Sequence, residues 1–500
     1  MKVMVLEHPR LESGRRFNDI ANTPLWSCLM AGYAAANLLR AGHDVTLLDA
    51  PALQWDFERA AREIENWDAE LLCINAVYFW ERTPALFEFL TRVRQNGRVG
   101  HVNLFGFYPS LSYDAILAAS EQVDSIAVGE CETTLVDLAA RLERKQNWND
   151  VPGLAFRREA GTLFLQPRPP ALDPDVFPFP LRNPRPGETI SILASRGCYN
   201  HCRFCPIPVF YGNGPLWRGR AVDKVIGEME TALHAGARDF YFVDPNFVGP
   251  GKRGEERIVR LAERIKPLNV TFGMETRPND LDARLLESLV NAGLQSLLLG
   301  VESGSRDILA RLDKGDTLTV SERAIGLCRE AGVEPEIGFL MFVPDSSLDD
   351  IRQNFSFLVK ANLLDRLERT ANLLSHNQIV FRGTTGFNRF LEQGRLVGAC
   401  PVEFEYEVSF LDERVKWLSD IVTPVCLYVL KEMSRADSPL FWENSRSSEH
   451  AQAVNDFLMN MFDRLLVRAE SPHRPPSVDV YHEIKHDFLG GLRIIQSDCD

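Results

Sequence analysis

The stretch SRGCYNHCRFCPIP (195–208) places Cys198, Cys202 and Cys205 within eight residues. Their spacing would put all three on one face of a helix. Gly197 before the first and Pro206 after the last instead mark a loop at the end of the apolar run TISILAS. A structural zinc ion wants four closed ligands. No fourth cysteine lies near, and His201 could serve only by folding back between two ligands. Thiolates are the usual ligands of iron–sulfur clusters. Three of them can hold three irons of a 4Fe–4S cube and leave the fourth open, as a place for a substrate or cosubstrate to chelate. The other seven cysteines (Cys28, Cys73, Cys131, Cys328, Cys400, Cys426 and Cys499) lie far apart and read as small buried hydrophobes.

The whole chain narrows the chemistry. It has 500 residues and a formal charge of −14 with no basic block, so a phosphate backbone would be repelled and nucleic acid is an unexpected partner. A small molecule or a short peptide is the expected substrate. No apolar run is long enough to span a bilayer. MKVMVLEHPR reads as a first strand and not a signal peptide, so a cytoplasmic location is expected.

The elements that must position the cysteines form two β/α series. In residues 1–145, KVMVLE, DVTLLDA, ELLCINAVYF and HVNLFGF alternate with helical segments, which predicts a parallel, doubly wound sheet with ligands at its strand ends. Residues 146–187 read as a proline-rich linker with a possible hairpin. In residues 188–385 six strands are predicted: TISILAS, RDFYFVD, VTFGMET, SLLLGV, EIGFLMF and TANLLSH. Six units fall short of an eightfold barrel, so an open (β/α)6 barrel is expected. Residues 386–500 read as a mostly helical cap over the cavity, with EFEYEVSF (403–410) either lining it or forming a surface strand.

C-x3-C-x-F-C after a first barrel strand resembles the cluster loop of the radical S-adenosylmethionine (SAM) superfamily, with Phe204 beside the cysteines. Further segments agree in order. FYFVDPNF (240–247) resembles the second-strand element and offers Asp244 and Asn246, with Pro245 where a second acid is common. METRPNDL (274–281) resembles the third and offers Thr276 and Arg277, the latter for the SAM carboxylate. LLLGVESGS (297–305) resembles the fourth and offers Glu302. GFLMFVP (338–344) stands at the fifth, with the usual GxPGET worn to VPDSS. The resemblance implies that SAM chelates the open iron and is cleaved by one electron to a 5′-deoxyadenosyl radical, the electron coming from a flavodoxin- or ferredoxin-type donor.

Ahead of such a barrel, residues 1–145 resemble a Rossmann-like cobalamin-binding domain. FGFYPS offers Phe107, Tyr108 and Ser110, with Phe105 and Tyr108 where glycine and histidine are common. VGECETTLVDLA offers Gly129 and Glu130, with Cys131 in place of a glycine. No G-x-G-x-x-G follows the first strand, which argues against a dinucleotide. No D-x-H-x-x-G is present, so the histidine-free branch is implied, with Tyr78, Phe79 or Trp80 under cobalt.

The resemblance therefore implies a cobalamin-dependent methyltransferase acting on an unactivated carbon. A rival keeps both cofactors but closes or opens a ring, or oxidises. A methylthiotransferase would bring extra amino-terminal cluster cysteines and a basic RNA module. A non-enzymatic scaffold would leave Arg277 and Glu302 unexplained.

Overall fold

The computed structural model describes residues 1–9, 29–76, 83–96, 99–158, 161–182, 187–212, 214–398, 402–438, 440–441 and 449–470, with 486 and 490. The expected candidates Tyr78, Phe79 and Trp80 lie outside the described residues.

The first sheet contains β1 (Lys2–Glu7), β2 (Asp44–Asp49), β3 (Leu71–Asn75), β4 (His101–Phe105), β5 (Ser125–Ala127), β6 (Leu154–Arg157) and β7 (Leu163–Leu165), in the order 2-1-3-4-5-6-7. The first five pair in parallel. Their connecting helices are α1 (Leu29–Arg40), α2 (Phe57–Glu65), α3 (Thr83–Asn96) and α4 (Phe107–Ala119), and α5 (Glu132–Glu143) follows β5. Strands β1, β3 and β4 are almost wholly buried, as sequences covered by helices on both faces must be. The hairpin β6–β7 pairs antiparallel to β5, so it extends this sheet instead of belonging to the linker. The strand order reverses between β2-β1 and β3, and the carboxyl ends of β1 and β3 make the switch-point crevice. There Asn75 Nδ2 donates to Glu7 Oε2 at 2.6 Å.

The proline-rich stretch packs along α1, where Leu181 N donates to the Gly32 carbonyl at 3.0 Å. A Cβ on Gly32 would stand 2.5 Å from the Leu181 carbonyl oxygen, so glycine permits this approach.

The second sheet has five parallel strands: β8 (Ile190–Ile192), β11 (Asp239–Phe242), β12 (Thr271–Thr276), β13 (Leu294–Glu302) and β14 (Glu336–Phe339). Between β8 and β11 lie a two-stranded antiparallel hairpin, β9 (Ser195–Cys198) and β10 (Leu216–Gly219), the short α6 (Ile207–Phe210) and α7 (Val222–His234). Helices α8 (Gly251–Ile265), α9 (Ala283–Asn291), α10 (Arg306–Arg311), α11 (Leu318–Glu330) and α12 (Leu348–Lys360) complete the β/α units. The sixth position differs from the expected strand TANLLSH. Residues 367–375 form α13 (Leu367–Ser375), because Leu367, Thr370, Ala371 and Leu374 recur at helical spacing and are all buried. A single parallel bridge, Phe342 to Asn377, is what the sixth barrel position retains. The fold is thus α/β, a Rossmann-like domain followed by a partial β/α barrel and a carboxyl-terminal helical region.

That last region also holds a small antiparallel sheet of β15 (Val380–Phe381), β16 (Leu396–Val397) and β17 (Glu405–Val408), with α14 (Thr385–Glu392) between its first two strands. EFEYEVSF supplies β17. This sheet bridges the molecule. Tyr108 Oη donates to the Val402 carbonyl at 2.6 Å, Arg382 pairs with Asp114 at 2.8 Å, and Gly386 N donates to the Arg203 carbonyl at 2.7 Å inside the cysteine loop. The long helices α15 (Glu413–Met433) and α16 (Glu449–Glu470) pack on α13, and their apolar faces share one core with the barrel.

Candidate active site

The three cysteines line one cavity of about 230 Å³ at the carboxyl ends of the barrel strands. β9 ends at Cys198, a turn delivers Cys202, and Cys205 precedes α6. Gly197 makes the turn possible: its φ is +78°, and a Cβ there would lie 2.0 Å from the Leu216 carbonyl oxygen. None of the three is in a disulfide. Burial pushes all three thiols up, Cys202 to about 11, so the site needs added positive charge to hold them as thiolates. A bound iron–sulfur cluster would supply that charge, and Asn200 Nδ2 already donates to Cys202 Sγ at 3.1 Å.

His201 is 55% exposed and pairs with Asp313 at 3.0 Å. Among the described residues, no three His, Cys, Asp or Glu side chains gather on a single ion.

Phe204, Thr276, Arg277 and Glu302 line the same cavity, as the sequence elements lead one to expect. Arg277 Nη2 donates to the Lys314 carbonyl at 2.8 Å and to Asp316 Oδ1 at 2.9 Å, leaving Nε buried without a protein acceptor. Glu302 ends β13 in the left-handed region, φ +69°, where the register with β14 shifts. Its carboxylate receives Lys314 Nζ at 3.0 Å. Gly300 makes room for that pair, since a Cβ would lie 2.9 Å from both charged atoms. Burial opposes the Lys314 charge, but Glu302, Cys202 and Asp316 outweigh it and raise its pKa.

Asp244 and Asn246 stand elsewhere. Both are fully buried behind β9, and neither lines the cavity. Asp244 accepts from Ser195 Oγ at 2.5 Å and Ala194 N at 2.9 Å, and Asn246 donates to Asp280 at 2.6 Å. They brace the strand that carries Cys198.

Lys314, Asn200 and Glu275 also line the cavity, and sequence reading missed them. Lys314 and Glu275 find their partners, Glu302 and Tyr241, on strands that only the fold brings beside them. Glu275 has Tyr241 Oη at 3.5 Å, and burial raises it to about 8; burial raises Asp244 to about 7. An acid whose folded pKa is raised binds its proton longer in the folded state, so stability falls as pH climbs from the unfolded value near 4 through the folded one. Urea unfolding between pH 4.5 and 8 should show that decline. Glu275→Gln should flatten its upper part, and an unchanged slope would remove Glu275 as the cause.

None of Phe107, Tyr108, Ser110, Gly129 and Glu130 lines the cavity; Tyr108 is turned to Val402 and Phe404, and the others gather beside the segment that carries the cysteine loop. The Phe107 ring lies 4.2 Å from that of Phe210 in α6, and Ser110 Oγ accepts from Gly129 N at 3.0 Å. Glu130 is turned to Arg196 and Arg218, each at 2.8 Å. Burial would raise its pKa, but these two guanidinium groups outweigh it and hold the carboxylate below its usual range. At the switch-point crevice, Asn75 Oδ1 is buried without a protein donor, an acceptor that a ligand's amide N–H would satisfy.

Residues 192–358 match the model of the Radical SAM superfamily. Over these residues the chain is similar to radical SAM domains. Among curated relatives, an uncharacterized methyltransferase of Pyrococcus horikoshii is 23% identical over 379 residues, covering 73% of this chain and 79% of the relative. The anaerobic magnesium-protoporphyrin IX monomethyl ester cyclase of Synechocystis is 28% identical over 353 residues, covering 67% of each. Two solved structures share the fold across nearly all of this chain. One is the cobalamin-dependent S-adenosylmethionine radical enzyme OxsB with aqua-cobalamin and S-adenosylmethionine bound, at TM-score 0.76 and 16% identity, covering 100% of this chain and 80% of that one. The other is the radical S-adenosylmethionine methyltransferase TsrM of Kitasatospora setae with cobalamin and a 4Fe–4S cluster bound, at TM-score 0.68 and 16% identity, covering 92% and 99%. No helix among the described residues is long and apolar enough to cross a membrane.

Proposed function

We propose that this chain is a cobalamin-dependent radical SAM methyltransferase that places a methyl group on an unactivated carbon of a small molecule. The observation that carries the reading is the single cavity in which three cysteines, Arg277 and the Glu302–Lys314 pair meet at the barrel's strand ends. A bound 4Fe–4S cluster would supply the electron that cleaves SAM, and a bound cobalamin the methyl group. Cys198, Cys202 and Cys205 would hold the cluster and leave one iron for SAM. Arg277 presents a cation to the SAM carboxylate, and Glu302 an acceptor to its hydroxyl or ammonium hydrogens. Phe204, Ile207, Phe339, Leu340, Ile379 and Phe381 make most of the wall apolar, which keeps water from a reactive radical. The protein's part is positioning and exclusion. An external one-electron donor of flavodoxin or ferredoxin type and a cytoplasmic setting complete the proposal.

The likeness to a cyclase favours one second reading, ring closure without methyl transfer. Chemical balance separates the two. Methyl transfer consumes one SAM to S-adenosylhomocysteine for every SAM cleaved to 5′-deoxyadenosine, whereas cyclisation yields only the latter. The first test is EPR of anaerobically reconstituted protein given cobalamin and SAM. Expected are a reduced-cluster signal that SAM alters, and a cob(II)alamin signal without axial-nitrogen splitting. A SAM-sensitive cluster in protein that retains no cobalamin would leave methylation without its donor and sink the reading.

A further inference from the structure

The loop after β5 and the start of α5 each supply a carboxylate aimed at one cation of the barrel. Glu130 Oε1 lies 2.8 Å from Arg196 Nη1, and Glu132 Oε1 lies 2.6 Å from Arg196 Nη2. Glu130 Oε2 also takes Arg218 Nη1 at 2.8 Å, and Arg218 stands opposite Arg196 in the β9–β10 pairing. The Arg196 guanidinium is stacked between Tyr33 of α1 and Phe177 of the linker, 4.8 and 4.6 Å from their ring centroids. All four charged side chains are buried. Arg196 stands two residues before Cys198.

Elsewhere the two domains meet through apolar contacts such as Phe107 against Phe210, which tolerate sliding, and through single hydrogen bonds such as that from Arg220 Nη1 to Tyr33 Oη at 3.3 Å. A guanidinium gripped by two carboxylates at fixed angles does not. Burying four charges is an inefficient way to gain stability, and registry is the better-attested use of such a network. We propose that Glu130 and Glu132 are positioning residues that lock the first domain to the strand bearing the first cluster ligand, with Arg196 as the shared pin. The relation between cluster and first domain is then set by ion pairing, not by general packing. This inference rests on the reading of the cysteine loop as a cluster site.

The test compares wild type with Glu132→Gln, Arg196→Lys and the Glu130→Gln/Glu132→Gln double variant. Arg369→Gln serves as control, because Arg369 is equally buried in its pairs with Glu334 and Asp365 but sits on α13 away from the loop. Hydrogen–deuterium exchange of peptides covering 195–205 is read on metal-free protein, and EPR g-values on reconstituted protein. The inference expects exchange in this segment at least about tenfold faster in Glu132→Gln, the change that about 1.4 kcal/mol of local opening gives. It also expects altered g-values there, an intermediate effect in Arg196→Lys, and neither change in Arg369→Gln. Should the double variant fail to fold, the single variants still decide. Equal exchange and equal g-values across wild type and Glu132→Gln overturn the inference. A wild type that takes up no cluster overturns the cluster reading instead, and the metal-free exchange then decides whether the pin exists.

Discussion

Cys202→Ser is expected to abolish iron uptake and SAM cleavage while leaving the metal-free fold within about 1 kcal/mol of wild type. The cluster needs a thiolate on each of three irons, and a serine hydroxyl at ordinary pH does not replace one. The structural cost is small because Cys202 lies on the cavity wall, where its sulfur accepts only the Asn200 amide hydrogen, which a serine oxygen also accepts. Cys426→Ser is the comparison. Cys426 is buried in α15 within the shared core, so its loss should lower stability and leave iron uptake untouched. Iron and sulfide analysis with urea titration checks both. A full complement of iron in the C202S protein would remove this residue from the ligand set.

Gly197→Ala should have the second-largest effect, and it acts without removing a ligand. At φ +78° alanine costs on the order of 1–3 kcal/mol in backbone conformation alone. Its methyl group would also stand 2.0 Å from the Leu216 carbonyl oxygen, so β9 and β10 must part and Cys198 must move with them. Gly236→Ala separates the two causes, because Gly236 has φ +99° but open space around its missing Cβ. The G236A protein should lose stability and still load iron, whereas G197A should lose both. Equal iron content in the two would show that the hairpin absorbs the clash elsewhere.

What the sequence made legible was local. Glycine, proline and three cysteines within one short loop announce a ligand loop, and the β/α alternation announces both sheets. Thr276, Arg277 and Glu302 were legible as cavity residues because each sits at the carboxyl end of a strand, where a barrel collects its site. Nonlocal relations were not legible. Lys314 sits in an unremarkable turn, and only the fold brings its ammonium to Glu302. Asp244 looks like a ligand because it ends a strand, yet its carboxylate turns back onto β9. Glu130 sits in a loop that reads as a cofactor rim, but its partner Arg196 is 66 residues away and across a domain boundary. TANLLSH misleads through its apolar density. Its burial follows helical spacing, set by the packing of α13 against α15 and α16.

The small sheet between barrel and helices has a consequence for how the protein is made. Its Gly386 amide closes onto the Arg203 carbonyl, and Val402 receives Tyr108 from the first domain. Those contacts form only when residues about 180 or more positions after the cysteine loop have been synthesised. At roughly 5–20 residues per second, the ribosome leaves an interval of roughly 10–40 s between the last cysteine and the segment that seals it. During that interval the segment that closes on the loop is missing, so a donor of iron and sulfide would meet a more open loop on the nascent chain than on the finished fold. Expression temperature and the supply of assembly factors during translation should therefore govern cluster occupancy more strongly than reconstitution after purification.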